Sequence, residues 1–325
     1  MTNPFKLGFL THVSADAEPQ ITYNNLIKLF VAAEKFGYES GWIAQHHLSR
    51  GTGLSPSPLL LLSAIAAHTQ HIHLATGITV LPFEDPIRLA EDATVLNSLS
   101  NKRVQLGLGS GGANVVSFPA FNVEYEKRSD IFNNKLNVLQ NQFENSSLPD
   151  AQILRKKLWH SHSTPEGAVL AAHQSNGFLL GTAVHNPATV QKPLAEAYLN
   201  TWDNKNEKPR LGIIRAVFPA TDRQTAQQEL APDLKPFGDW LKREKLAAGE
   251  ISVADIIDKL NVHHGSVGDI TSSLQKDPCL FGYLTDFIVV VQSASSTIDD
   301  AIKRLDIIAN EIAPKFGWQS RYSGQ

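Results

Sequence analysis

The chain has 325 residues, a length compatible with two domains or with one large α/β barrel. Apolar residues make up 42% of it, enough for a large core, so intrinsic disorder is excluded. The 29 basic and 32 acidic residues give a net charge of −3, which provides no electrostatic basis for binding nucleic acid.

Cysteine content and apolar runs indicate the compartment. The single cysteine, Cys279, cannot form an internal disulfide, so a reducing compartment is expected. The longest apolar run, 59–67, is too short to span a membrane. The first ten residues carry one lysine, and the sequence turns polar at Thr11, unlike a secretory signal. We therefore expect a soluble, cytoplasmic protein without a membrane partner.

Short β-rich runs alternate with longer amphipathic stretches along the chain. The predicted strands are 5–10, 42–45, 72–81, 104–109, 157–162, 177–180, 211–218 and 287–292. The predicted helices are 23–36, 59–68 and 87–99, with further segments near 126–142, 165–175, 187–202, 253–274 and 298–313. Eight strands, each followed by a helix, predict an α/β fold whose parallel sheet closes into a (β/α)8 TIM barrel.

Two further features concern the organisation of the chain. A polar stretch from 220 to 269, broken by Pro232 and Pro236, predicts a helical excursion over the barrel mouth before the last strand. We expect residues 1–325 to form one barrel domain. A doubly wound open sheet is the alternative fold, although no glycine fingerprint follows the first strand.

Functional residues of a barrel lie at the carboxyl ends of its strands and in the loops that follow. His46 and His47 end the second predicted strand. A histidine at this position can act as a base near neutral pH or hold a hydrogen bond to a bound ring. The alternative is a loop histidine that caps a backbone group.

The fifth strand runs into a helix whose start is rich in hydroxyl groups. Thr164 is the expected N-cap, and Pro165 occupies the first helical position. The hydroxyls of Ser161, Ser163 and Thr164, with His162 between them, lie beside the free N–H groups of this helix end. This arrangement favours binding of a phosphate, and the alternative is only a well-capped helix.

Small residues end the third and fourth strands. Ala75, Thr76 and Gly77 come late in the third strand, and Gly109 and Ser110 close the fourth. Small side chains on neighbouring strands would leave a flat slot over the barrel mouth, where a ligand can approach the backbone. Close packing of strand against helix is the alternative.

Taken together, these segments resemble the bacterial luciferase-like monooxygenase family of flavin-dependent (β/α)8 barrels. The most specific stretches are HLATGITVLP at 73–82, DPIRLAEDA at 85–93 and RVQLGLG at 103–109. AQHH at 44–47 and WHSHST at 159–164 are similar to the family's second-strand motif and phosphate-binding turn. The similarity extends over nearly the whole chain.

The resemblance implies roles for individual residues. His46 would work beside the flavin ring, Ser161 and Thr164 would bind the flavin phosphate, and Arg128 would contact the same phosphate. The Gly77–Ile78 bond falls where the family often has a cis peptide. Two positions depart from the family pattern: Gln45 replaces the usual acidic residue, and Ser110 replaces the usual arginine.

The resemblance also implies an activity. We expect a two-component monooxygenase that receives reduced FMN from a separate flavin reductase and uses O₂ to oxidise a small organic substrate. F420-dependent hydride transfer and a non-catalytic flavin-binding relative are the alternatives within this fold. A metal-dependent hydrolase, suggested by His160, His162 and His46, lacks a carboxylate at the end of the last strand, because Asp286 begins it. No metal is expected.

Oligomeric state is the last expectation. The family commonly forms homodimers through the helices packed outside strands two and three. In this sequence those helices, 59–68 and 87–99, contain Ala64, Ile65, Ala90, Ala93 and Val95. These residues could pair with a second copy or could only cover the barrel.

Overall fold

A computed structural model describes residues 5–14, 18–48, 53–112, 115–145, 147, 149–243, 249–280, 282 and 284–320. The strands are β1 Lys6–Thr11, β2 Ser40–Ile43, β3 His73–Val80, β4 Val104–Gly109, β5 Leu158–Ser161, β6 Gly177–Leu180, β7 Leu211–Pro219, β8 His263–Gly265 and β9 Asp286–Val290. All the strand pairs are parallel.

Helices follow the strands and form an outer layer. They are α1 Pro19–Lys35, α2 Pro58–Ala66, α3 Pro86–Leu99, α4 Arg128–Asn145, α5 Ala151–Arg155, α6 Pro165–His173, α7 Lys192–Thr201, α8 Arg223–Arg243, α9 Val253–Lys259, α10 Val267–Gln275 and α11 Ile298–Ile307. Short 3₁₀ turns cover Leu81–Phe83, Val115–Phe121, Tyr125–Lys127 and Ala313–Phe316, and π-helical turns cover Pro187–Gln191 and Ile308–Ile312. Among the described helices, none combines the length and the apolar character needed to cross a membrane.

The sheet closes through β9, which pairs with β1 on one side and with β7 on the other. The closed order is β1, β2, β3, β4, β5, β6, β7, β9. The predicted (β/α)8 barrel is therefore confirmed, and the doubly wound alternative is wrong. β8, which was not predicted, pairs only with the end of β7, where Val217 lies opposite His263.

The barrel interior is packed with side chains. Trp42 and Trp159 lie there edge to face, with ring centroids 5.5 Å apart, and both are essentially inaccessible to solvent. Each indole N–H is bonded, that of Trp42 to Ser40 Oγ at 2.9 Å and that of Trp159 to Gln105 Oε1 at 2.6 Å. Because a buried indole donor without a partner would be costly, these bonds allow two large rings to fill the interior.

The predicted excursion is helical, but its prolines do not break it. α8 runs continuously through Pro232 and Pro236. Both prolines lie on the exposed side of the helix, where water can satisfy the carbonyl groups that lose a partner. The opposite side buries a cluster consisting of Phe218, Leu230, Leu234, Leu241, Ile256, Ile257 and Leu260. Similarly, α4 extends to Asn145, beyond the predicted end of its helix near 142.

Arg103, in the motif RVQLGLG, is held inside the structure by carbonyl groups. It is 7% exposed, and its guanidinium donates to Ser100 O, Ile72 O, Ala66 O and both oxygens of Thr69. These bonds fasten the end of α2 to the start of β4. This motif residue therefore serves the fold.

Replacing Arg103 with methionine should lower the free energy of unfolding by about 3 kcal/mol, because several buried carbonyl oxygens would lose their donor. Urea denaturation of Arg103→Met and the wild type measures this change. Arg223→Met is the matched control, since Arg223 is 54% exposed in its side chain and pairs with Asp269 at the surface. That variant should lose less than about 1 kcal/mol. Equal losses in both variants would contradict the assignment.

Candidate functional site

The open end of the barrel has an apolar floor. Leu10 and Ala44 are buried there, and Ile78, Ile214 and Val290 are half-buried against the same interior cluster as the two tryptophans. A partly exposed apolar surface at the mouth of a barrel is suited to the face of a planar ring system.

Glycines give this floor its shape. A Cβ atom on Gly109 would lie 2.9 Å from Ile78 Cδ1, and one on Gly77 would lie 2.9 Å from Leu10 Cδ1. Ile78 can therefore extend over Gly109 only because that position has no side chain. The Gly77–Ile78 peptide bond is cis, as the family resemblance implied.

Ala75 and Thr76, both predicted to contact a cofactor, lie within the barrel wall. Ala75 is fully buried in the interior cluster. The Thr76 hydroxyl donates to Gly107 O at 2.8 Å and accepts from Gly107 N at 3.0 Å. The structure therefore places both side chains in packing and strand pairing, and their contact with a cofactor stays a prediction.

His46 lies at the mouth and is bonded to a second histidine. His46 Nε2 is 2.8 Å from Nδ1 of His12, and the two ring centroids are 5.1 Å apart. His12 directly follows β1, the strand that neighbours β2. His12 was not predicted as a site residue, although, like His46, it lies just beyond the end of a strand.

Burial keeps His46 uncharged. Its pKa is lowered to about 3, mainly by burial and additionally by repulsion from His12 and His47. At neutral pH the ring therefore presents one N–H donor and one nitrogen acceptor. The expectation of a base that titrates near neutrality does not hold for the protein without a ligand, because desolvation disfavours the imidazolium.

Gln45, one of the two departures from the family pattern, joins the segment between β2 and α2 to the end of β3 and to Glu84 beyond it. It is 3% exposed. Its Nε2 donates to Glu84 Oε1 at 2.7 Å and to Pro56 O at 3.2 Å, while its Oε1 accepts from Val80 N at 2.6 Å. A carboxylate could not donate to Glu84. The acidic charge missing at position 45 is thus present on Glu84, directly beside it.

The residues predicted to bind a phosphate follow β4 or lie between the end of β5 and the start of α6. Gly109 pairs with Ser161 in register, so Ser110 and Ser161 lie on adjacent strands. Thr164 is the N-cap of α6, and its hydroxyl accepts from Gly167 N at 3.3 Å. Ser163 and Thr164 are exposed, whereas Ser110 and Ser161 are half-buried. The hydroxyls therefore remain able to donate to an anion at a positive helix end.

Arg128, predicted to contact the same phosphate, is held by an aromatic ring. Its guanidinium carbon lies 3.9 Å from the centroid of Tyr125, and Nη1 donates to Tyr125 O at 2.8 Å. The Tyr125 hydroxyl donates to Gly112 O at 3.1 Å, which links the stack to the loop after β4. Among the described residues, Nε and Nη2 of Arg128 have no hydrogen-bond acceptor.

His162 and His160 serve packing. The His162 ring meets Phe132 edge-on at 5.1 Å, and a Cβ on Gly167 would collide with it. Burial lowers the pKa of His162 to about 4. His160 is fully buried and contacts Asn176 through its Nε2 at 3.0 Å. The predicted contact between His162 and a cofactor stays a prediction. Because the ring is packed against Phe132 and Gly167, that contact would involve the main chain of His162.

The residues suggested for a metal site do not converge. Asp286 lies at the first position of β9, opposite Lys6 at the start of β1. It is therefore at the amino ends of the strands, away from His46 and the end of β5. Within the part of the chain that the structure describes, no group of three or more His, Cys, Asp or Glu side chains is placed to hold a metal ion.

Comparison with known proteins agrees with this geometry. The sequence profile described as "Luciferase-like monooxygenase" matches residues 4–264. The chain belongs to the luciferase-like monooxygenase family. It is similar to the oxygenase component of the flavin-dependent trigonelline monooxygenase of Acinetobacter baylyi, with 31% identity over 118 residues. That match covers 36% of this chain and 30% of the relative, so the chain spans less than a third of that protein's length.

Two solved structures show how widely the fold of this family member is shared. The oxygenating constituent of 3,6-diketocamphane monooxygenase from Pseudomonas putida, in complex with FMN, gives a TM-score of 0.76 at 17% identity, covering 96% of this chain and 98% of that one. An F420-dependent secondary alcohol dehydrogenase, in complex with an F420–acetone adduct, gives 0.70 at 16% identity, covering 96% and 99%. These similarities establish a common fold.

The contact between Gln45 and Glu84 yields a test. Gln45→Glu should lower the free energy of unfolding at neutral pH by about 2 kcal/mol, because two carboxylates would meet and Glu84 would lose its donor. The loss should shrink in acid, since a shared proton would replace the repulsion. Thermal and urea unfolding measure both effects.

The exchanged pair is the control. Gln45→Glu combined with Glu84→Gln should recover most of the lost stability, because one carboxylate and one amide again face each other. If the loss of unfolding free energy in the double variant equals the sum of the losses in the two single variants, Gln45 and Glu84 do not stabilise each other.

Proposed function

We propose that the protein is a flavin-dependent monooxygenase of the two-component type, which takes reduced FMN from a separate reductase and acts on a small organic substrate. The observation that carries this proposal is the presence, at one end of one barrel, of an apolar floor, a hydroxyl-lined helix start and a neutral histidine. When bound, reduced FMN would supply the electrons and react with O₂.

The residues present fit this cofactor. The hydroxyls of Ser161, Ser163 and Thr164, with the amino end of α6, would hold its phosphate. Arg128 would supply the positive charge that Ser110 does not. Ile78 and Val290 would support the ring and exclude water beneath it.

His46 would act on protons at the ring. It follows β2, which β3 and β4 separate from the phosphate site at β5. Three strand spacings of about 4.8 Å leave room for an extended chain between a ring near His46 and a phosphate at Thr164. An uncharged imidazole can there donate one hydrogen bond and accept a proton at its other nitrogen.

Residues 1–325 are proposed to act as a single domain. Phe218, near the end of β7, belongs to the buried cluster of the excursion helices, so this cluster is continuous with a barrel strand.

Anaerobic titration with reduced FMN, oxidised FMN and F420 tests the cofactor assignment. Reduced FMN should bind most tightly, and Arg128→Met should raise its Kd about tenfold, because a charge-assisted bond is lost. Lys127→Met is the control, since Lys127 is exposed and pairs with Glu124. Its Kd should match that of the wild type.

Other outcomes would reassign the protein. Tighter binding of F420 than of reduced FMN would indicate the hydride-transfer alternative. Binding of reduced FMN with no effect on its oxidation by O₂ would indicate a non-catalytic relative. An equal loss of affinity in Arg128→Met and Lys127→Met would remove Arg128 from the site.

A second copy of the chain is the proposed structural partner, bound by the outer face of α2 and α3. Three of the residues expected at the interface, Ile65, Ala90 and Ala93, are fully buried against the barrel and cannot contact a second copy. The face that these helices expose is nevertheless apolar. It includes Leu60, Ala64, Ile87, Val95 and Leu99, of which Leu60 is 72% and Leu99 66% exposed.

An exposed apolar face on adjacent helices favours self-association. The double variant Leu60→Glu with Val95→Lys should halve the mass measured by analytical ultracentrifugation. Phe237→Glu, which alters an exposed residue on α8, should leave the mass unchanged. A wild type that sediments as a monomer would contradict the proposal.

A further inference from the structure

The contact between His12 and His46 couples the protonation of the two rings. His12 Nδ1 and His46 Nε2 are 2.8 Å apart. Two bare nitrogens at this distance would repel each other, so one N–H must lie between them. The protonation of either ring is therefore tied to that of the other.

The backbone holds the pair from outside. His46 N donates to Ser55 O at 3.3 Å, and Leu54 N donates to Val13 O at 3.0 Å, so the segment that follows β2 returns to the end of β1. Gly53, at φ +138°, packs directly on His12 O, and a Cβ there would also approach His46 Cδ2. The rings are thus fixed by the chain on both sides of the contact.

The contact leaves one nitrogen of His46 for the candidate site. Among the described residues, Nδ1 of His46 has no hydrogen-bond partner, because the only nitrogen in contact is Nε2. A neutral imidazole carries a single N–H, so whichever ring donates across the contact decides whether Nδ1 of His46 is a donor or an acceptor.

The two rings also differ in exposure. His46 is half-buried, whereas His12 is exposed. The groups that face His46 are His12 and His47, and His47 in turn feels the carboxylate of Glu84. Burial lowers the pKa of His12 as well, but its ring reaches solvent and that of His46 is half-buried, so a positive charge on the pair would reside on His12.

We infer that His12 is a positioning residue that fixes the resting tautomer of His46 and connects its proton to solvent. Only its use in the reaction rests on the proposed function. Starting with His46 protonated at Nε2 and His12 at its Nε2, a proton arrives at His46 Nδ1. The Nε2 proton of His46 passes to His12 Nδ1, and His12 releases its Nε2 proton to water, so both rings end neutral and each carries its proton on Nδ1.

The experiment observes the tautomer directly, without cofactor. Protein labelled with ¹⁵N in its histidine rings is compared by long-range ¹⁵N–¹H NMR from acid to neutral pH, because the pKa of His46 is lowered to about 3. His12→Phe keeps a ring and removes the nitrogen, whereas His12→Asn places a side-chain amide where Nδ1 stood. His68→Gln, at an exposed site beyond α2, is the control.

The wild type should show one tautomer of His46, which His12→Asn and His68→Gln preserve. His12→Phe should give a mixture of tautomers and an upward shift of the titration midpoint of His46, because a neighbouring charge is removed. If His12→Phe fails to fold, His12→Leu removes the same nitrogen with less volume. A mixture in the wild type, or an unchanged single tautomer in the variant lacking the nitrogen, would overturn the inference.

A second measurement concerns the reaction. The oxidation of reduced FMN by O₂ in the presence of the protein, followed by visible absorbance against pH, should change its profile in His12→Phe and recover it in His12→Asn. The Kd for reduced FMN should stay unchanged in both variants. Failure of the wild type to bind reduced FMN would reject the proposed function, whereas the NMR comparison would still decide how His12 acts on His46.

Discussion

The hydrogen bonds that β9 forms with both β1 and β7 determine where every side chain of the candidate site lies. Asp286 pairs with Lys6 on one side and with Gly212 on the other. Once the parallel sheet is closed, all carboxyl ends meet at one rim. Residues as distant in sequence as His12, His46 and Thr164 therefore face a common space, and each depends on the closure for its position.

The sizes of the side chains along the barrel axis then leave an apolar floor at this rim. Trp42 and Trp159 fill the interior, with both indole N–H groups satisfied. Towards the mouth, β3 and β4 carry the glycines Gly77 and Gly109, and Ile78 occupies space that a side chain on Gly109 would need. The floor is thus set by tryptophans that fill space and by glycines that leave it.

The sequence predicted what depends on local pattern. Runs of apolar residues located the eight barrel strands, and the capping signal at Thr164 is confirmed in α6. Contacts between distant segments were not predictable. Glu84 is 39 residues from Gln45, and no local pattern indicates that one restores the charge that the other lacks. The contact between His12 and His46 was not predictable either, because only the closed barrel shows which of the 12 histidines adjoins His46.

Which face of a helix packs against the barrel was harder to predict from the sequence. α2 reads PLLLLSAIA, which is apolar nearly all round, so periodicity cannot identify its inner side. The structure turns Ile65 inward and Leu60 outward. In α8 a polar stretch indicated a helical excursion, and the two prolines suggested a break because their exposure was unknown.

The two departures from the family pattern give the mouth an uneven charge distribution. On the β2 side, the Glu84 carboxylate is bound to Gln45, and burial keeps His46 uncharged at neutral pH. On the β4 and β5 side, Arg128 and the amino end of α6 provide positive potential without an arginine at position 110. An anionic ligand would therefore place its charge towards α6. Its uncharged part would lie towards His46, since a buried neutral imidazole attracts no counter-charge.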